Sequence, residues 1–229
     1  MTKFWTYAEI KEKIEQDLDL QSELFITPSE LLAYVNEAID EAEAEIHTIH
    51  EDYFLKSDPI TLVSGTDEYD LPTDIYANKI RDIIYNSGGN IWALRRLRDW
   101  KKIRDYSVWK EYGSGQISEY FIKNATVGQP QIVVSPPNRE NGQYLTVWYL
   151  RNANRMVDDT SVCDIPEFVN FVIVYTKYKC LQKEGHPNLQ VGMMDLEQQR
   201  AQMRAVLSGM VADSDNEIEA DLSHYEEHS

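Results

Sequence analysis

Hydrophobic positions near the start of the chain recur at helical spacing. The motif TYAE at residues 6–9 has the form of a capping box, with a threonine at the N-cap and a glutamate three residues later. Ile10, Ile14 and Leu18 then follow one another every four residues. This pattern predicts a short amphipathic helix.

A longer helix is predicted to follow. The motif TPSE at 27–30 is a second capping box, with proline at the first helical position. Apolar residues then alternate spacings of three and four: Leu32, Val35, Ile39, Ala42, Ile46, Ile49 and Tyr53. They form a narrow seam on a helix of about 25 residues whose other faces are acidic. Such a seam needs a partner helix, either in this chain or on a neighbouring subunit.

The hydrophobic period then changes to that of strands. Short β-branched and aromatic runs, separated by turn residues, occupy 60–63, 69–71, 79–85, 90–94, 118–122, 131–135 and 144–150. The stretch VSGTDEYDLP at 63–72 predicts a β-hairpin. Its polar tip comprises Ser64, Gly65, Thr66, Asp67 and Glu68.

Helical spacing returns near the end of the chain. Asp164 is a plausible N-cap, and apolar residues continue to Gln182. The run FVIVY at 171–175 could instead be a buried strand, but the length of the pattern favours a helix. Gly185 should end this helix. A second helix carries Val191, Met194, Leu196, Met203, Val206, Leu207 and Met210.

These patterns predict an α+β fold. Residues 1–57 and 164–211 should form a helical bundle, and 58–163 a mostly antiparallel, β-rich platform region inserted between them. Residues 212–229 read as a flexible acidic tail, because they are poor in large apolar side chains.

Charge is unevenly distributed along the chain. The net charge is −17, yet residues 95–104 hold six basic side chains and one acid. These basic residues are Arg95, Arg96, Arg98, Lys101, Lys102 and Arg104. The segment raises the possibility of nucleic-acid binding. We favour pairing with acidic residues of a neighbouring subunit, because an acidic chain is repelled by phosphates.

Candidate chemistry is sparse. His47 and His50 lie three apart and are followed by Glu51, an order that gives a zinc hydrolase no general base. We expect both histidines to be partly exposed on the polar side of the helix. Cys163 and Cys180 lack the paired spacing of a zinc site, and Cys180 should be core. No nucleotide-binding or serine-hydrolase motif occurs. We therefore predict no catalytic, cofactor-binding or metal-binding residues, no cofactor and no enzymatic activity.

The order of four segments resembles a known family. They are the Gly-x-x-x-Tyr-x-Leu-Pro pattern at 65–72, PQIVVSPPN at 130–138, YLTVWYLR at 144–151 and DIPEFVNFVIVYTKYKCL at 164–181. Together they resemble the head-to-tail adaptor proteins of tailed phages, also called head completion or connector proteins. They are more loosely similar to podovirus tail tubular or gatekeeper proteins. The resemblance covers roughly residues 28–210.

The resemblance implies a structural virion protein, made in the host bacterial cytoplasm, with no catalytic residue. Such adaptors form a ring, typically dodecameric, between the portal protein and the tail or nozzle proteins. Double-stranded DNA passes through the ring without specific binding, and no membrane is involved. The tip at 64–68 would dock tail components. The alternative is a nucleic-acid-binding or regulatory protein that uses residues 95–104.

The acidic tail contains three apolar residues at helical spacing. Ile218, Leu222 and Tyr225 are spaced for one short amphipathic turn. We expect the tail to order only on a partner, the portal. The alternative is a tail that serves only solubility.

Overall fold

The chain divides into two compact units, Phe54–Asn152 and the remainder, Met1–Tyr53 with Ala153–Ser229. The structure is a computed structural model and describes residues 3–18, 25–109, 116–126 and 129–214. The first unit is built mainly of strands and the second of helices, which confirms the predicted α+β class. No described helix combines the length and apolar composition needed to cross a bilayer.

The described part of the helical unit contains four helices. They are α1 (Tyr7–Leu18), α2 (Pro28–Ile49), α4 (Val169–Glu184) and α5 (Leu189–Ser214). A 3-10 turn, Glu51–Phe54, follows α2, and a second, Pro166–Phe168, precedes α4. Helix α4 packs against α1, α2 and α5, and α5 also contacts α2.

Both predicted capping boxes are present. The backbone N–H of Thr6 donates to Glu9 Oε2 over 2.9 Å, and the Glu9 N–H donates back to Thr6 Oγ1 over 3.3 Å. Thr27 and Glu30 make the same pair of bonds at the start of α2. These reciprocal bonds satisfy two amides that the helix leaves without partners.

The predicted seam of α2 is buried. Val35, Ile39, Ala42 and Ile46 are fully excluded from solvent, and Leu31 takes the place that the pattern assigned to Leu32. Since α2 contacts α4 and α5, the partner helices belong to the same chain.

Helix α4 departs from its predicted start. Asp164 does not cap it, because the Asp164 carboxylate accepts from the backbone N–H of Asn154 over 2.8 Å. The helix begins instead through the 3-10 turn, without a side-chain cap. Phe171, Val172 and Ile173 are all buried. A helix packed against three others is covered on most sides, which explains the continuous apolar run.

In the residues that the structure describes, the β unit contains two four-stranded sheets. Its strands are β1 (Leu55–Thr61), β2 (Glu68–Asp70), β3 (Ile75–Asn86), β4 (Ile91–Ala93), β5 (Arg95–Arg96), β6 (Glu119–Thr126), β7 (Gln129–Ser135) and β8 (Tyr144–Arg151). The first sheet has the order β1-β8-β3-β4 and the second β2-β7-β6-β5. All pairs are antiparallel except β5 with β6.

The core of the β unit lies between the sheets. Leu145, Val147 and Tyr149 of β8 belong to the same buried cluster as Ile132 and Val134 of β7. On the other face of the second sheet, Leu97, Phe121 and Val133 pack with Ile103 of helix α3 (Trp100–Trp109). Alternate side chains of β7 therefore face two different apolar layers.

Candidate interaction surfaces

The segment 62–68 does not form the predicted hairpin. β1 pairs with β8, and β2 pairs with β7 in the other sheet, so the segment is a crossing between sheets. The prediction failed because a turn sequence between two strands does not reveal which strands pair. Gly65 does have the positive φ expected of a turn glycine, +82°.

The crossing is held by a neighbouring loop and is not a freely projecting tip. The Gly65 N–H donates to the carbonyl of Asn138 over 2.8 Å, and Ser64 Oγ donates to the carbonyl of Arg139, also over 2.8 Å. The buried hydroxyl of Tyr69 lies 2.9 Å from the carbonyl of Thr66 and 3.1 Å from the backbone N–H of Val63. The surface at 64–68 is thus polar and fixed in shape.

The basic segment 95–104 runs from β5 through a short connection into the start of α3, and its basic side chains are exposed. Leu97 anchors it, since its side chain is buried and its N–H donates to the carbonyl of Tyr120 over 2.7 Å. Arg95 pairs with Glu119 and Arg104 with Asp105. The exposed basic side chains that make no ion pair with a described residue are Arg96, Arg98, Lys101 and Lys102.

In the helical unit, by contrast with the basic segment, several Lys and Arg side chains form ion pairs between helices. Acidic side chains of α2 pair with basic ones of α4 and α5: Glu30 with Lys183, Glu37 with Lys179, Glu41 with Arg200, and Glu45 with Arg204. These ion pairs bridge adjacent helices and neutralise part of the acidic surface of α2. Sequence patterns predicted the acidic faces but not these partners.

Only some of the apolar residues that the sequence places on α5 are buried. Leu196, Met203 and Leu207 are buried, whereas Val191 and Met194 are 57% and 67% exposed. One face of α5 packs against α2 and α4. The exposed positions therefore provide an apolar surface available to another molecule.

A second exposed apolar surface lies on the first sheet. Tyr144 and Trp148 of β8 alternate with its buried residues and are 39% and 37% exposed. Asn86 of β3 pairs with both Tyr144 and Ile91, which places Ile91 on the same face at 67% exposure. The opposite face of this sheet supplies the core.

A polar cluster in the β unit was not expected from the sequence. The Tyr149 hydroxyl lies 2.6 Å from Asp58 Oδ2 and 2.8 Å from Asp74 Oδ1, and Lys56 Nζ lies within 3.0 Å of both carboxylates. Burial favours a raised pKa for Asp74, but the bonds from Lys56 and Tyr149 outweigh it and hold that pKa below its usual range. The groups satisfy one another, so we assign the cluster a structural role.

The histidine prediction was wrong for His47. Its side chain is buried, and Nε2 lies 3.7 Å from the carboxylate of the buried Glu43, one turn earlier. The apolar face of α2 is wider than the seam and includes this position. No group of three or more His, Cys, Asp or Glu that could hold a metal ion occurs among the described residues.

The cysteines are buried in the helical unit. Burial raises the pKa of Cys163 to about 11 and that of Cys180 to about 12. Both thiols are therefore protonated near neutral pH and are poor nucleophiles. Cys180 is a core residue, as predicted. The apolar tail positions Ile218, Leu222 and Tyr225 lie outside the described residues.

Comparison with protein families identifies the family of the chain. Residues 5–220 match the family described as SU10 adaptor protein. The chain belongs to the SU10 adaptor protein family. The match confirms the resemblance to phage head-to-tail adaptors and extends it to α1, which lay outside the resembling segments. No curated protein matches the chain.

Membership of the SU10 adaptor family gives the protein a structural role in the phage virion. It is an adaptor that works among head and tail proteins. The surfaces described above are thus candidates for contacts between virion proteins.

Proposed function

We propose that this SU10 adaptor protein forms a dodecameric ring between the portal and the tail or nozzle proteins, extending the DNA channel. The family match over residues 5–220 carries the proposal. A closed ring needs two different surfaces on each subunit, one for each neighbour. The exposed apolar surfaces of α5 and of the first sheet are suitable for such contacts.

The charge of the chain supports passage of DNA without retention. At −17 per subunit, the lining of a channel has little tendency to bind phosphates. The polar surface at 64–68 is our candidate for docking tail components, since hydrogen bonds to residues 138–141 fix its shape.

Electron microscopy of the purified protein, alone and mixed with portal protein, tests the proposal. We expect class averages to show a ring, and the ring to stack on the portal in the mixture. Protein that stays monomeric and does not bind the portal would contradict the proposed function.

A pair of variants tests the α5 surface. Met194 and Gln198 are both exposed on α5, so a glutamate at either position should leave the fold intact. We expect Met194→Glu to reduce ring formation, because it places a charge in an apolar contact, and Gln198→Glu to have a smaller effect. Mass photometry measures the populations. Assembly of both variants at the wild-type level would exclude this part of α5 as a subunit interface.

The competing function is nucleic-acid binding through residues 95–104. It is favoured by the four unpaired cations of that segment. Binding of duplex DNA that falls steeply with salt concentration would support it over the adaptor ring.

A further inference from the structure

Four basic side chains of the β unit are exposed and lie close together in the sequence. Arg96 and Arg98 flank the buried Leu97 and are exposed, while Lys101 and Lys102 begin α3. Asp99 fixes this helix start, because its carboxylate accepts from the backbone N–H of Lys101 over 2.9 Å. We call Arg96, Arg98, Lys101 and Lys102 the basic patch.

The basic patch is unusual within this chain. Elsewhere among the described residues, every Lys and Arg except Lys11 has an ion pair, a hydrogen bond or another polar or ring contact. The side chains of the patch make no ion pair or hydrogen bond with a described residue, although the chain has 39 acidic residues. The patch therefore concentrates positive charge that the described part of the chain does not neutralise.

The end of the chain has the complementary composition. Helix α5 ends at Ser214, and residues 215–229 follow it. Six of these residues are acidic and none is Lys or Arg: Asp215, Glu217, Glu219, Asp221, Glu226 and Glu227. Fully extended, this segment reaches at most about 50 Å beyond the end of α5.

We propose that residues 215–229 of one subunit bind the basic patch of the next. The proposal rests on the proposed ring, in which neighbouring copies meet. Subunits of charge −17 repel one another, and a contact between the acidic segment of one copy and the basic patch of the next supplies an attraction that opposes this repulsion. This assigns the acidic segment to a second copy of the chain, where the sequence had suggested the portal.

Nucleic acid fits the basic patch less well. Four cations are few against the repulsion between phosphates and a chain of this net charge. Single exposed ion pairs are weak, so several must act together and the contact should be sensitive to salt.

Charge reversal in the full-length protein tests the contact. The patch variant carries Arg96→Glu, Arg98→Glu, Lys101→Glu and Lys102→Glu, and the tail variant carries lysine at the six acidic positions of 215–229. We expect each alone to weaken association at least about 10-fold at low salt. A 1:1 mixture should recover association, because each variant then offers the charge that the other lacks. Lys11→Glu is the control for adding a negative charge elsewhere.

Cross-linking identifies the contact directly. Isotopically heavy and light wild-type chains are mixed and treated with a reagent that couples amines to adjacent carboxylates. Links from Lys101 or Lys102 to residues 215–229 should join heavy with light chains. Links confined to single chains, or no such links in concentrated protein, would overturn the proposal.

The outcomes separate this proposal from the proposed function. If the wild type forms rings on the portal and the patch variant forms them equally well, the proposed function stands and the tail contact is overturned. A patch variant that assembles normally but loses duplex binding makes the patch a nucleic-acid surface and also overturns it. If the wild type forms no ring, the proposed function fails, and the heavy–light links still decide whether the tail contact exists.

Discussion

Replacement of Gly65 by valine should destabilise the β unit through backbone strain. Gly65 has φ of +82°, and a Cβ built at this position meets no atom within 4 Å. A Cβ at this position therefore meets no steric obstacle. The remaining cost is the left-handed conformation itself, about 1–2 kcal/mol for a residue with a side chain.

Two opposing effects leave this estimate nearly unchanged. Valine restricts the unfolded chain, which offsets about 0.4–1 kcal/mol, but a β-branched side chain resists positive φ more than alanine does. Relaxation to negative φ is no easier. It would disturb the hydrogen bond from Gly65 to Asn138 and that from Thr66 to Val63, each worth about 0.5–1.5 kcal/mol. We expect a net loss of about 1 kcal/mol or slightly more.

Gly89 provides the matched control. It is also exposed with open space around its Cβ position, but it lacks the left-handed φ. Thermal unfolding should place Gly65→Val about 2–4 °C below wild type for each kcal/mol lost, with Gly89→Val close to wild type. Equal melting temperatures for the two variants would refute the strain argument. Normal attachment of tail components by Gly65→Val would refute the docking role of 64–68.

Two further predictions concern the helical unit. Ile39→Asp should lower the free energy of unfolding by several kcal/mol, because it places a carboxylate at a fully buried site. The control is Ala33→Asp on the exposed side of α2, which should change that free energy little. Denaturant titrations measure both variants. Hydrogen bonds from Lys183 and Thr27 lower the pKa of Glu30 from 4.5 to about 2. The ionised Glu30 carboxylate therefore stabilises the folded protein above pH 4.5, and this contribution is lost as the pH falls towards 2. Glu30→Gln should melt below wild type at pH 7, with a gap that closes over this range; a gap independent of pH would contradict the assignment.

Local interactions account for what the sequence determined by itself. Both capping boxes lie within four residues, so their geometry follows from the motif at 6–9 and the motif at 27–30. Gly185 ends α4 in the left-handed conformation for an equally local reason. The buried seam of α2 follows from helical periodicity, and the strand-rich middle of the chain follows from its β-branched composition. The basic segment was visible from composition alone.

Tertiary structure decided every feature that depends on distant partners. β1 pairs with β8, about ninety residues later, so neither turn chemistry nor periodicity could show that 62–68 crosses between sheets. The burial of His47 and the exposure of Met194 depend on where neighbouring helices lie. The same is true of charge, because a basic side chain is neutralised only if the fold brings an acid within a few ångströms. The fold does this for Arg200 and not for the basic patch, and that difference makes the patch a candidate interface.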